Sequence, residues 1–199
     1  MAPDAAVTDA STPVVDPLFR TLFDRALLRG EFTLRSGATS DRYFDKYRVT
    51  CDPELLGPVA MRLAATQSQV APGAVRIVGP ELGAVPLAAA LALETGLPFA
   101  IVRGTAKSYG TGNRIEGPTV AGELAVLVED VVTSGGAALD ALQVLRDAGI
   151  VVTHALCVLD RDGGGREALA DAGVELHALL DAAALDAAFD AGLGTEAAS

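Results

Sequence analysis

An uninterrupted apolar segment that ends in two acids and a turn of small residues constrains the fold of this chain most strongly. Residues 124–128 contain no polar side chain, as is typical of a strand buried on both faces of a parallel sheet. Glu129 and Asp130 follow, so we expect both acids at the carboxyl end of this strand. After the turn 133–136, residues 137–148 have a helical pattern. The segment therefore predicts a βα unit.

Strand and helix patterns alternate through the middle of the chain, which indicates βαβ units and a parallel sheet. The predicted strands are 75–78, 99–103, 124–128 and 154–159, and the predicted helices are 85–95 and 137–148. Before them we expect helix 17–29, strands 32–34 and 43–46 around a turn at 36–40, and helix 53–68. After them we expect helix 165–172, strand 174–179 and helix 181–191.

The acids and the turn suggest a site for a phosphorylated sugar. Ligands of open α/β sheets bind beyond the carboxyl ends of the strands, where Glu129 and Asp130 could accept hydrogen bonds from vicinal hydroxyls. A phosphate could bind at the N-terminus of the following helix. The alternative is that the acids are a solvated strand end and that Thr133 and Ser134 are an ordinary helix cap.

Length, charge and the distribution of apolar residues exclude several classes of protein. A chain of 199 residues is expected to form one globular unit, and a net charge of −11 argues against a general nucleic-acid binder. Residues 1–16 lack the basic and apolar regions of a signal peptide, and no apolar run is long enough to span a membrane. We therefore expect a cytoplasmic protein that binds neither nucleic acid nor membrane.

Cysteine and histidine give no metal-ligand spacing. Cys51 and Cys157 are too few for a disulfide framework, and His154 and His177 are isolated on apolar segments. We expect all four to be core or surface residues without a metal.

The segment from residue 125 to residue 136 resembles the phosphoribosyl pyrophosphate (PRPP) motif of type I phosphoribosyltransferases, with four apolar positions, two acids, two apolar positions and Thr-Ser-Gly-Gly. Other segments resemble orotate phosphoribosyltransferases in the same order along the chain. They are Phe-Thr-Leu-Arg-Ser-Gly at 32–37, Tyr-Phe-Asp-Lys at 43–46, Gly-Pro-Glu-Leu-Gly at 79–83, the stretch 103–117 and Leu-Asp-Arg at 159–161. The resemblance runs from Phe19 to Leu180.

This resemblance implies the type I phosphoribosyltransferase fold, an α/β fold whose central parallel sheet is flanked by helices and carries a small N-terminal cap, or hood. We expect a single domain at 17–191 between a disordered tail at 1–16 and a frayed tail at 192–199. Within it, 17–70 includes the cap elements, 71–160 is the PRPP-binding core and 103–121 is a flexible catalytic loop.

The activity implied by the resemblance is transfer of the phosphoribosyl group from PRPP to orotate, which gives orotidine 5′-monophosphate and pyrophosphate in pyrimidine synthesis. The cofactor implied is Mg²⁺, held mainly by PRPP and water, so no protein metal ligand is expected. A homodimer is also implied, in which the catalytic loop reaches into the neighbouring subunit's site.

The resemblance also implies roles for individual residues. Lys107 and Asp130 would be catalytic. PRPP would be bound by Arg103, Lys107, Tyr109, Glu129, Asp130, Val131, Val132, Thr133, Ser134, Gly135, Gly136 and Ala137. Glu81, Leu82 and Gly83 would form the pyrophosphate loop, and Arg35, Phe44, Thr133 and Arg161 would bind orotate.

Lys107 has an independent argument in its favour. Negative charge builds on pyrophosphate as the ribosyl group becomes oxocarbenium-like, and a positioned ammonium stabilises that charge. Lys46 and Lys107 are the only lysines of the chain, which otherwise uses arginine. The alternative is that Lys107 is a solvated loop charge.

The chain departs from the family pattern at three positions, and two other functions stay open. Gly104 stands where many members have a second lysine, and Leu82 and Tyr109 stand where lysine or histidine is frequent. One alternative is a phosphoribosyltransferase for another base, such as a purine, because the fold does not determine the acceptor. The other is a PRPP-sensing regulatory protein with weak catalysis.

Overall fold

A computed structural model describes residues 16–34, 37–105 and 113–197. The helices are α1 (Pro17–Ala26), α2 (Lys46–Thr50), α3 (Pro53–Val70), α4 (Ala84–Thr95), α5 (Gly136–Asp147), α6 (Gly165–Asp171) and α7 (Ala182–Asp190). The strands are β1 (Leu27–Thr33), β2 (Thr39–Phe44), β3 (Arg76–Pro80), β4 (Phe99–Val102), β5 (Ile115–Glu116), β6 (Leu124–Val132), β7 (Val151–Asp160), β8 (Glu175–Leu180) and β9 (Thr195–Glu196).

The chain divides into two compact units. The terminal unit comprises the described residues of Met1–Asp45 and of Ala182–Ser199, and the core unit comprises those of Lys46–Asp181. This division differs from the single domain expected at 17–191. Residues 46–70, which the prediction grouped with the cap, belong to the core unit because α3 packs against α4 and β7.

A six-stranded sheet in the order β5-β4-β3-β6-β7-β8 forms the centre of the core unit. Its neighbouring strands are parallel, except that β5 runs antiparallel to β4. The prediction of a central parallel sheet is therefore confirmed. The chain leaves β3 for β4 on one side, whereas β6 leads to β7 and β8 on the other, so the topological switch point lies between β3 and β6.

Local sequence signals explain where several helices of this unit begin and end. The Asp52 carboxylate accepts a hydrogen bond from the backbone N–H of Glu54 at 2.9 Å, and Pro53 occupies the first turn of α3. Gly96 ends α4 in the left-handed conformation, with φ of 71°. Asp52 thus sets the start of α3, and Gly96 sets the start of the short connection from α4 to β4.

Apolar burial holds the sheet and helices together. Leu127 in the central strand is fully buried in a cluster that includes Leu142 and Leu145 of α5. At the amino end of β3, the Arg76 guanidinium donates to both carboxylate oxygens of Glu123 at 2.7 and 2.8 Å. Both partners are shielded from water, so this bidentate pair neutralises a buried cation at the start of β3.

The terminal unit is built around a three-stranded sheet in the order β2-β1-β9. Strands β1 and β2 are antiparallel, whereas β9 pairs in parallel with β1. The prediction of a frayed tail at 192–199 is wrong for residues 192–197, because β9 pairs there and Leu193 is buried. The expected tail at 1–16 lies outside the described residues except for Asp16, which caps α1.

Other boundaries also differ from the prediction. Helix α1 ends at Ala26 and residues 27–29 continue as β1, although the apolar periodicity indicated a helix to residue 29. Lys46 begins α2 and is not part of a strand. Strand β6 continues to Val132, beyond the predicted end at residue 128. Pairing with β7, which continues as far as Val132, overrides the local signal of the two acids.

None of the helices in the three described ranges is long and apolar enough to cross a lipid bilayer.

Arg29 fastens the C-terminal segment to the terminal unit, and its replacement tests that role. Its Nη1 donates to the carbonyl oxygens of Phe189 and Leu193, each at 2.9 Å, and its guanidinium lies 3.8 Å from the centre of the Phe189 ring. Arg29→Ala is expected to lower the free energy of unfolding by about 1–3 kcal/mol. Urea titration measures the change, and Arg20→Ala on the exposed face of α1 is the control. Equal stability of the two variants would contradict the role.

Candidate functional site

The candidate site lies in the core unit, at the switch point between β3 and β6. Strand β3 ends at Pro80 and is followed by Glu81, Leu82 and Gly83, and strand β6 is followed by the turn 133–135. Because these strands are parallel neighbours, their carboxyl ends lie at the same edge of the sheet. The predicted pyrophosphate loop and the predicted PRPP motif are thus brought together by the fold.

The two acids are buried inside β6, close to its carboxyl end, although the strand does not stop at residue 128 as expected. Glu129 and Asp130 are 6% and 3% exposed, and pairing with β7 continues beyond them to Val132. The Asp130 Oδ1 accepts a hydrogen bond from the backbone N–H of Val131 at 2.6 Å.

Lys46 supplies the positive charge for this pair. Its Nζ lies 2.8 Å from Asp130 Oδ2. Burial lowers the pKa of Lys46, but the hydrogen bond and charge of Asp130 outweigh that effect, so the pKa is raised and the ammonium stays charged. The sequence interpretation gave Lys46 no role. Two signals were available, since it is one of two lysines and directly follows the Tyr43-Phe44-Asp45 segment.

The protonation of Glu129 differs from that of an ordinary glutamate. Burial raises its pKa to about 8, the neighbouring Asp130 charge adds to the rise, and Lys46 opposes it. The buried pair can therefore keep a proton near neutral pH. A carboxyl group in this state can donate as well as accept a hydrogen bond.

Gly83 lets the loop after β3 approach the acid pair. A Cβ at this position would lie 1.6 Å from Asp130 Oδ2 and 3.0 Å from Lys46 Nζ. Any side chain there would displace the carboxylate or the ammonium. Gly83 also precedes α4 without a side-chain cap, which leaves backbone N–H groups of the first turn of α4 at this edge of the sheet. The peptide bond between Glu81 and Leu82 is cis.

The turn after β6 leads into an uncapped helix N-terminus. Gly135 adopts φ of 75° and no side chain caps α5, a helix of 12 residues. Thr133, Ser134, Gly136 and Ala137 are exposed there. The first N–H groups of α5 and the two hydroxyls thus face the same edge, and this arrangement suits a phosphate.

A second glycine run supports the turn, and the sequence interpretation missed it. A Cβ at Gly163 would lie 2.6 Å from Thr133 Cγ2, and one at Gly165 would lie 2.5 Å from Val132 Cγ1 and 2.8 Å from the Gly135 nitrogen. The Gly165 N–H donates to the Thr133 carbonyl at 2.8 Å. The three consecutive glycines at 163–165 were the available signal, but they indicated only a turn.

Glu81 organises the start of the predicted catalytic loop. Its Oε1 accepts a hydrogen bond from the Gly104 N–H at 2.8 Å, and its Oε2 lies 3.8 Å from Arg103 Nη1. Just before β5, Arg114 Nε donates to the Arg103 carbonyl at 2.9 Å, and the Arg114 guanidinium pairs with Asp140 of α5. Gly104 does not have the positive φ that would require glycine.

Not all predicted residues can be placed. Lys107, Tyr109 and Arg35 lie outside the described residues. Arg161 follows β7, is partly exposed, and donates its backbone N–H to the Val132 carbonyl at 2.8 Å. Phe44 is buried at the end of β2 in the terminal unit.

Comparison with known proteins settles the family. The profile of the phosphoribosyl transferase domain matches residues 59–174. A curated orotate phosphoribosyltransferase of Halobacterium salinarum is 49% identical over 156 residues, which are 78% of this chain and 87% of that protein. The chain belongs to the orotate phosphoribosyltransferase family. The family prediction made from the motifs is thereby confirmed.

Solved structures of this family share the fold. The crystal structure of the orotate phosphoribosyltransferase from Aeropyrum pernix is 34% identical, with a TM-score of 0.76 over 87% of this chain and 97% of that one. The Mycobacterium tuberculosis orotate phosphoribosyltransferase in complex with PRPP is 27% identical, with a TM-score of 0.72 over 85% of this chain and 96% of that one. The predicted type I phosphoribosyltransferase fold is confirmed.

Replacing Gly83 tests whether the close approach of its backbone to Asp130 is needed for PRPP binding. Gly83→Ala is expected to weaken PRPP binding by at least roughly tenfold, because the added Cβ overlaps Asp130 Oδ2. The matched control is Gly57→Ala in α3, where a Cβ meets nothing within 4 Å and stability should rise by about 1 kcal/mol. Calorimetric titration with PRPP measures the affinity. Unchanged binding by Gly83→Ala would contradict the prediction.

Proposed function

We propose that this protein transfers the phosphoribosyl group of PRPP to orotate, giving orotidine 5′-monophosphate and pyrophosphate for pyrimidine synthesis. The observation that carries the proposal is the buried Glu129–Asp130 pair beside an uncapped helix N-terminus at the switch point of the sheet. The identity to curated orotate phosphoribosyltransferases supports orotate as the acceptor.

The 5′-phosphate of PRPP binds at residues 133–137 in this proposal. The Thr133 and Ser134 hydroxyls and the first N–H groups of α5 donate hydrogen bonds to it, and the helix dipole favours its negative charge. The ribose hydroxyls bind at Glu129 and Asp130, and the Val131 and Val132 backbone lines the path between these two groups. The pyrophosphate lies along Glu81, Leu82 and Gly83.

Catalysis then depends on charge that develops as the bond from C1′ to pyrophosphate breaks. The ribosyl ring becomes oxocarbenium-like, and the leaving pyrophosphate gains negative charge. Lys107, Arg103 and Tyr109 of the loop contact PRPP in this proposal, and the Lys107 ammonium stabilises the leaving group. Asp130 holds a ribose hydroxyl close to the reacting carbon.

Lys46 acts as a positioning residue for that step. It lies 2.8 Å from Asp130 Oδ2 and is partly exposed, whereas the Asp130 side chain is almost fully buried. A single cation therefore sets both the charge and the direction of the carboxylate that meets the ribose. The sheet alone does not fix the rotamer of Asp130, so this ion pair preorganises it.

Mg²⁺ fits this site as an ion that enters with PRPP. Carboxylate oxygens are ligands that Mg²⁺ accepts, but Asp130 is already paired with Lys46, which suits an ion held mainly by PRPP phosphates and water. When bound, the ion neutralises charge on the pyrophosphate leaving group. Glu129 and Asp130 are the residues that would contact the ion through water.

Orotate is a planar anion, so its recognition requires a cation and a flat apolar surface. We assign the cation to Arg161 and a hydroxyl donor to Thr133, both of which lie in the core unit. The enzyme is proposed to act as a homodimer in which the loop containing Lys107 serves the partner subunit.

The absorbance change of orotate in the presence of PRPP and Mg²⁺ tests the function. Rapid conversion by the wild type is expected, with kcat reduced by roughly a hundredfold or more in Lys107→Ala because an ammonium in the transition state is lost. Adenine, guanine and hypoxanthine serve as alternative acceptors. Conversion of a purine without conversion of orotate would replace the proposal with a purine enzyme. PRPP binding without any transfer would indicate a sensor.

Replacing Lys46 tests its positioning role. Lys46→Met is expected to lower kcat/KM for PRPP by about ten- to a hundredfold, which corresponds to the loss of one charge-assisted hydrogen bond, while KM for orotate changes little. Lys46→Arg should restore part of the loss because it keeps the charge. Equal changes in both KM values, or a fall in thermal stability that accounts for the loss, would contradict this role.

A further inference from the structure

The two histidines of the chain lie side by side, and the proposed reaction uses neither of them. His154 is on β7 and His177 is on β8, and their Nδ1 and Nε2 atoms are 3.1 Å apart. Glu175 faces both rings, with Oε2 at 4.0 Å from His154 Nδ1 and Oε1 at 3.9 Å from His177 Nε2. The sequence interpretation that the histidines are isolated is therefore wrong.

The sheet fixes the positions from which these side chains project. His154 pairs directly with Glu175, and His177 pairs with Leu156, two residues further along each strand. Side chains two residues apart share a face, so all three groups lie on the same face of the β7–β8 pair. Thr153 is an extra residue in β7, since Val152 pairs with Ala125 and His154 with Val126. This bulge sets the face that His154 takes.

We propose that His154, Glu175 and His177 form a binding site for a divalent transition-metal ion of the zinc class. A tetrahedral ion with nitrogen ligands at ~2.0–2.1 Å separates its ligand atoms by roughly 3.3 Å. The imidazole nitrogens already have nearly this separation, and the exposed Glu175 carboxylate reaches it by rotation of its side chain. Within the described ranges this is the group of three metal-ligating side chains that the fold assembles.

The donor set selects the class of ion. Two imidazoles and one carboxylate suit Zn²⁺ and its neighbours Co²⁺, Ni²⁺ and Cu²⁺, whereas Mg²⁺ prefers oxygen ligands alone. The side chains of His154 and His177 are 23% and 19% exposed, and that of Glu175 is 70% exposed, so an ion can enter from solvent. Three protein ligands leave the fourth position to water.

Metal binding requires only that one imidazole nitrogen lose its proton. In the absence of an ion the two nitrogens share a hydrogen bond, so one of them carries a proton. When the ion binds, that proton moves to the other nitrogen of the same ring or to solvent, and both facing nitrogens become ligands. No oxidation or reduction is involved.

The site is separate from the PRPP motif. Cys157 of β7 pairs with Glu129, and His154 lies three residues nearer the amino end of β7, which is about 10 Å along the strand. Arg166 is the nearby cation whose charge reaches His177, but it pairs with Asp160 at 2.9 Å and donates to the Leu176 carbonyl. It therefore leaves Glu175 available to the ion.

Titration of the full-length protein, without a histidine tag and after treatment with a chelator, tests the proposal. With ZnCl₂ as the probe, calorimetry should show one saturable site per chain that excess MgCl₂ does not occupy. His154→Ala and His177→Ala should each weaken binding by at least about tenfold, since even residues that only orient a ligand contribute 10- to 100-fold. Glu175→Gln should also weaken zinc binding, and because the Glu175 side chain is exposed, the substitution should leave the fold unchanged.

Cys51→Ser is the matched control, because Cys51 is an exposed thiol that could bind zinc by itself. Its zinc affinity should equal that of the wild type. Zinc should also shift the imidazole NMR signals of the wild type, which arise from these two histidines alone. Unshifted signals, affinity lost only in Cys51→Ser, or unchanged affinity in both histidine variants would overturn the proposal and leave a pair that only shares a hydrogen bond.

Discussion

Two adjacent carboxylates buried in the central strand are the constraint on which the site depends. Charge in a buried strand is costly unless it is paired or neutralised. The chain uses both solutions, because Lys46 pairs with Asp130 and burial raises the pKa of Glu129 to about 8. The result is an acid pair that is held rigidly by the sheet and is ready to receive a polar ligand. Burial of the two acids lowers the stability of the fold, and the chain retains them because they serve the site.

Close backbone packing around this pair follows from the same constraint. Gly83 approaches Asp130 from β3, and Gly163 and Gly165 approach the turn after β6 from β7. Each position excludes a Cβ for a different reason, respectively a carboxylate, a threonine side chain and the turn backbone. The loops from three neighbouring strands therefore converge on one edge of the sheet, where backbone N–H groups can reach a phosphorylated ligand.

Much of the fold could be predicted from local sequence, and the differences have physical reasons. The helices α4 and α5 and the strands β3, β4 and β7 were expected within a few residues, because continuous apolar runs and Gly or Pro boundaries mark them. The strand β6 was predicted too short because acids usually end a strand. The short β9 and the helix α2 were missed, since two to five residues carry no periodicity and form through partners distant in sequence.

The sequence by itself determined the family, most of the longer elements and the positions of the two acids and the small-residue turn, because these are encoded in contiguous segments. Only the tertiary structure decided that Lys46 neutralises Asp130, that the glycines at 163–165 support the PRPP turn, and that His154, Glu175 and His177 meet. The segments that meet in these three places are 21 to 84 positions apart along the chain, and their proximity depends on strand register and helix packing. A local sequence pattern cannot predict these contacts, because they form only when the sheet brings distant segments together.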